Sequence, residues 1–111
     1  MQVRNLTPHT IHFIPREGEG FEIPYALSEG VARVSMETRT VAVEGLPVPA
    51  VVQVPGEVVG LPDPVEGVVF IVSAMVANAV MRPDVCHPAD FVRDEDGKII
   101  GARALSFPAL V

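Results

Sequence analysis

The sequence predicts a small α+β domain: a mainly antiparallel β-sheet with one short helix, at about residues 73–82, packed on it. Three observations carry this expectation. Valine leads the composition, with 20 of 111 residues, and β-branched side chains favour strands. Gly or Pro breaks the chain every eight to twelve residues, the rhythm of a mostly β domain. Only one stretch, following Val68–Val72, carries an apolar face at helical spacing.

Taken in order, Thr10 to Pro15 alternates weakly as a first strand. Glu17-Gly18-Glu19-Gly20 reads as a turn, and Phe21 to Pro24 as a short returning strand. Ser28-Glu29-Gly30 breaks the chain again, and Val31 and Val34 mark a further strand. Thr38 to Glu44 alternates cleanly, with Arg39, Val41 and Val43 on one face, which predicts a half-buried strand. Gly45-Leu46-Pro47 turns the chain, and Val48 to Val54 returns as its partner. Pro47 and Pro49 lack ladder donors and place the start of that strand on an edge. Pro55-Gly56 and Gly60-Leu61-Pro62-Asp63-Pro64 read as a stiff connection without regular structure.

Val68-Val69-Phe70-Ile71-Val72 is apolar throughout rather than alternating, the pattern of a strand buried on both faces. Ser73 is a favoured N-cap, and Met75, Val76, Ala79 and Val80 share one helical face behind it. Arg82-Pro83 ends the helix, because proline disfavours the α region for the residue before it. Phe91-Val92-Arg93, a turn through Asp94-Glu95-Asp96-Gly97, and Lys98 to Leu105 form a closing hairpin. The whole chain, 1–111, fits one domain, with no repeat, linker or low-complexity tract.

Charge and composition narrow the function classes. Eight basic against 14 acidic residues give a net charge of −6. The cations are scattered singly among acids, which argues against nucleic-acid binding through a basic patch. The longest apolar run, Val68 to Met81, is too short for a spanning helix, which needs about 20 residues. The opening residues lack the plan of a secretory signal, so no membrane association and a cytoplasmic location are expected. A single cysteine excludes a disulfide scaffold.

Chemistry-bearing residues fall at few places. Ser73 stands at a strand-to-helix junction, where backbone N–H groups can hold an anion, but no Gly-rich loop or nucleophile elbow surrounds it. His9-x-x-His12 would point to opposite faces of a strand, as would Cys86 and His87, so neither a metal site nor a cysteine nucleophile is expected. No cofactor is implied. Arg82, Asp84, Cys86, His87, Asp90, Arg93 and Asp94 crowd into thirteen residues. Such Arg/Asp pairs can present a guanidinium to an anion or serve as structural pairing.

Five ordered segments resemble a family of small uncharacterised bacteriophage and prophage proteins. They are Asn5-Leu6-Thr7-Pro8-His9, Gly60-Leu61-Pro62, Ile71-Val72-Ser73, Arg82-Pro83-Asp84, and Val92-Arg93-Asp94 followed by Gly97-Lys98-Ile99-Ile100. The resemblance spans nearly the whole chain. It implies a phage-linked origin, in the host cytoplasm, and assigns no activity. Asn5, Thr7, His9, Ser73, Arg82, Asp84, Arg93 and Asp94 lie in the matched segments. Converging at one end of the sheet, they would form a polar pocket for a small anionic ligand; apart, they are caps, turns and salt bridges. No catalytic residue stands out. The leading expectation is a non-enzymatic accessory protein that binds a host protein or small anionic ligand. A virion decoration or connector subunit, or a small enzyme acting on a phosphorylated or nucleotide substrate, are the alternatives, and a homo-oligomer is compatible with each.

Overall fold

A computed structural model of the chain describes residues 1–110. It is mostly β-structure with one short helix. In chain order the elements are β1 (Gln2–Asn5), β2 (Ile11–His12), β3 (Tyr25–Ala26), β4 (Arg33–Val41), β5 (Ala50–Val59), β6 (Val68–Ile71), α1 (Ala74–Val80), β7 (Val85–Arg93) and β8 (Ile99–Ser106).

The central sheet has the order β1-β6-β7-β8 and is mixed. β1 and β7 flank β6 in parallel, and only β7–β8 is antiparallel. The expectation of a mainly antiparallel sheet is corrected here for that sheet. Its cause is the β6–α1–β7 crossover, which returns the chain in the same direction, as strand-helix-strand units do. Burial on both faces follows. Phe70 and Val72 pack with Val76, Ala77 and Val85 toward the helix, while Ile71 packs with Ile11 and Cys86 on the other face.

Local rules account for the helix. The Ser73 hydroxyl accepts from the Val76 N–H at 3.3 Å, and Met81 closes the C-terminus in the left-handed region at φ 48°. The regular helix is thus confined to Ala74–Val80 inside the expected 73–82. Its buried face holds Val76 and Ala77 rather than Met75, which is 56% exposed.

Elsewhere the strands depart from the sequence reading. Gln2–Asn5, which carries no strand pattern, is strand because it pairs residue for residue with Val68–Ile71. The expected strand at Thr10 to Pro15 shrinks to Ile11–His12, and the returning strand lies at Tyr25–Ala26 rather than Phe21 to Pro24. β4 and β5 form one long antiparallel hairpin that absorbs Val34, Thr38 to Val41 and Pro55-Gly56, with a bulge between Val34 and Met36. Val34 and Val58, at its base, pack on the helix-side core. Beyond that base the hairpin is mostly exposed, against the half-buried strand expected there. No helix among the described residues is long and apolar enough to cross a membrane.

Candidate functional site

Asn5 organises one end of the sheet. Its side chain is wholly buried, and a buried carboxamide must find partners for its N–H groups and its oxygen. Nδ2 donates to the carbonyls of His9 at 2.8 Å and Ala26 at 2.9 Å. Oδ1 accepts from the Thr7 N–H at 2.9 Å and the Thr7 hydroxyl at 2.7 Å. The Asn5–His9 segment is therefore folded into a tight loop on the C-terminal end of β1. Ser28 secures it further by donating to the Thr7 carbonyl at 2.6 Å.

Beside this loop lies an open cleft of about 880 Å³. Thr7, His9 and Ser73 form part of its rim, and Thr10, His12, His87, Asp90 and Lys98 complete the polar set. The walls are otherwise apolar, built by Ile11, Val72, Phe91, Ile99, Ile100 and Ala102. Gly101 and Ala102 bring β8 against the segment after β2, where the Ile14 N–H donates to the Ala102 carbonyl at 3.0 Å. Gly101 is required by this approach: a Cβ there would stand 2.8 Å from the His12 carbonyl oxygen and 2.6 Å from Ile14 Cδ1.

All three histidines of the chain thus face one cleft, although the sequence spacing separates them. His9 lies in the loop rather than on a strand, so the alternation argument that divides it from His12 does not apply. The His12 ring leans on Tyr25, with centroids 6.3 Å apart. His87 alternates with the buried Cys86 along β7 and so faces out of the core into the cleft. Its Nδ1 lies 3.0 Å from the Pro88 carbonyl. A carbonyl only accepts, so the contact is a hydrogen bond in the tautomer whose Nδ1 carries the proton. No group of three His, Cys, Asp or Glu side chains among the described residues is arranged to hold a metal ion.

Charge at the cleft is unevenly matched. Asp90, held at φ 51° within β7, pairs with Arg16 at 3.0 Å. Lys98 makes no salt bridge among the described residues, which leaves it as the cleft's uncompensated cation.

The eight residues singled out in the sequence separate into three groups. Thr7, His9 and Ser73 meet at the cleft, and Asn5 supports them from beneath. Arg82 and Asp84 pair with each other before the start of β7, through Nε to Oδ1 at 3.0 Å and a second contact from Nη2 to Oδ2. Arg82 also donates to the Pro62 carbonyl at 3.0 Å. Its guanidinium beside Asp84 holds that carboxyl below its ordinary value. Arg93 and Asp94 lie at the far end of β7, about 26 Å along a nine-residue strand from Val85. There Arg93 donates to the Gly97 carbonyl, and Asp94 accepts from the N–H groups of Asp96 and Lys98. Of the two arrangements open from the sequence, the two Arg/Asp pairs take the second: strand length keeps them apart, and they serve as a salt bridge and turn contacts.

Thr10, His12, His87, Asp90 and Lys98 are the polar cleft residues absent from that set of eight. The alternation that buries Cys86 could have placed His87, but nothing local predicts that β2 and β8 would come together.

Two nucleophile candidates are silent. Cys86 is fully buried, its Sγ–H pointing at the Phe70 carbonyl 3.5 Å away, and burial pushes the thiol up to about 12. The Ser73 hydroxyl is engaged in capping α1. No family model matches the chain, and neither the curated proteins nor the solved structures contain a match.

Proposed function

We propose that the chain is a non-enzymatic accessory binding module, of the phage-linked origin that the segment resemblance implies, whose cleft takes a small ligand with an apolar body and one acidic group. The observation that carries this reading is the mismatch inside the cleft. Its walls are almost wholly apolar, and its rim carries a cation, Lys98, that has no salt-bridge partner among the described residues, with three imidazoles. Ligand sites are commonly of this kind, apolar with a few polar groups that fix orientation. A fully hydrophilic anion such as phosphate would leave the walls unused, and a neutral hydrocarbon would leave Lys98 unused. The buried, protonated thiol of Cys86 and the capping role of Ser73 support binding over covalent catalysis.

A ligand that binds only the folded state raises its stability by mass action. Thermal unfolding in the presence of decanoate, decanol or inorganic phosphate tests the reading. Decanoate should raise the unfolding temperature in a concentration-dependent way, decanol less and phosphate not at all, and Lys98→Glu should remove the advantage of decanoate over decanol. Equal insensitivity to all three ligands would overturn the proposal.

A further inference from the structure

The described surface is too large for a chain of this mass. A folded monomer of 11.9 kDa is expected to expose about 6,000 Å², yet the accessible surface is 7605 Å². The radius of gyration is 17.2 Å, against about 13 Å for a compact domain of this length. The β4–β5 hairpin contributes to the excess. It is tied to the core through Val34 and Val58 at its base, and beyond them it exposes Val43, Leu46, Val48, Val51 and Val52. A two-stranded hairpin standing alone is marginal in water, so this arm lacks the cover that its composition calls for.

From this we infer that the arm is the interface of a homodimer, in which the free edge of β5 pairs antiparallel with the same edge of a second copy about a twofold axis. The union makes one continuous four-stranded sheet from two arms. Three observations point to a second copy as the occupant. The arm leaves apolar side chains, Val51 and Val52 among them, exposed on the strand whose outer edge has no partner in the two-stranded sheet, and pairing there covers apolar surface that a single copy leaves in water. The pairing is self-complementary, since an edge strand meeting itself antiparallel satisfies twofold symmetry.

Charge supplies the third. The chain carries −6, so two copies repel over most of their surface, but the twelve residues Gly45 to Gly56 contain no charged side chain. Sheet edges that stay unpaired are usually guarded by charge. β4 has Arg33, Glu37 and Arg39, whereas Ala50–Val54 of β5 has none and is bounded by Pro49 and Pro55. The five-residue stretch between those prolines is the segment expected to pair. Neither the cleft nor its residues enter this inference.

Sedimentation velocity on the whole chain, with hydrogen exchange at the same concentrations, tests it. The unmodified protein should sediment at twice 11.9 kDa at about 50 µM, and the outward-facing amides within Ala50–Val54 should exchange at least about tenfold slower there than under dilution to monomer. The double variant Val51→Lys, Val52→Lys puts a cation on each face of β5 and should sediment as a monomer with an unchanged far-ultraviolet circular dichroism spectrum. A monomer at about 50 µM, a dimer that survives both lysines, or β5 amides that exchange as freely in the dimer as in the monomer would each overturn the proposal. Should the double variant fail to fold, the exchange measurement on the unmodified chain decides alone.

Discussion

The carboxamide nitrogen of Asn5 holds the backbone carbonyl of His9 at 2.8 Å from inside the protein. The buried end of β1 is thereby coupled to the rim of the cleft. The same side chain holds Ala26 and Thr7, so one residue fixes the loop that carries two rim groups.

Asn5→Ala should therefore act on both stability and binding. It strips partners from the His9 and Ala26 carbonyls and the Thr7 N–H, and buried polar groups left unsatisfied cost about 1–3 kcal/mol each where water cannot reach them. A loss of about 2–4 kcal/mol in urea unfolding is expected, since water can rescue part of the exposed loop. Decanoate affinity should fall with it, as Thr7 and His9 lose their fixed positions. A variant as stable as the parent would show that the network is dispensable.

Arg82 and Asp84 are a structural pair, and their behaviour with pH should say so. The Arg82 side chain, through its hydrogen bonds, lowers the Asp84 carboxyl below its ordinary value of 3.8. A carboxylate depressed in the folded state contributes stability above its unfolded value, and that contribution is lost as pH falls through the folded value. Asp84→Asn should therefore be destabilising at pH 7, by about 1–3 kcal/mol for a charge-assisted contact of this burial. The gap from the parent should close progressively below pH 3.8. Urea unfolding at pH 7 and in acid measures it, and decanoate binding should be untouched at pH 7. A gap that stays constant into acid would mean that the carboxylate charge is irrelevant.

The features legible in the sequence are those set by local chemistry. Ser73 caps α1 because a hydroxyl at that position satisfies an open N–H. Asp94 to Gly97 turns because the Asp94 side chain bonds the backbone two and four residues on and Gly97 accepts φ 81°. Val68 to Val72 reads as doubly buried because it has no polar alternation. What escaped is set by pairing across the chain. Gln2–Asn5 is strand only through its ladder to β6, and nothing in four mixed residues announces it. Strand direction has no local signature either, although the β6–α1–β7 spacing held the clue that β7 runs parallel to β6. The cleft is less legible still. His9, His12 and His87 line one cleft because β2 and β8, far apart in the chain, are brought together, and Asn5 earns its place by depth, which composition does not reveal.

Cys86 should behave as a core atom group rather than a thiol. Its ordinary value of 9.0 is raised to about 12 by burial, so between those values the unfolded chain gives up a proton that the folded chain keeps. Stability derived from this site is complete below pH 9.0 and declines as pH rises through that window. The difference in stability between the parent and Cys86→Ala, favouring the parent at neutral pH through packing, should therefore shrink above pH 9.0. A disulfide reagent at pH 8 should label the native protein far more slowly than the urea-unfolded chain. Equal labelling rates would place the sulfur at the surface.

Gly101 is where β8 comes closest to the β2 segment, and it should tolerate no side chain. An added Cβ would meet the His12 carbonyl oxygen at 2.8 Å and Ile14 Cδ1 at 2.6 Å. The isoleucine tip can rotate aside, but the carbonyl belongs to a strand paired with β3 and cannot move alone. Gly101→Ala should therefore push the two segments apart and cost about 1–3 kcal/mol, the usual range for overpacking. The displacement has a local marker in the Ile14 N–H, which donates to the Ala102 carbonyl at 3.0 Å. Its hydrogen exchange should accelerate in Gly101→Ala, while the amides that pair β6 with β7 keep their parental rates. Accelerated exchange confined to β6 and β7, with Ile14 unchanged, would contradict the close approach as the reason for glycine at 101.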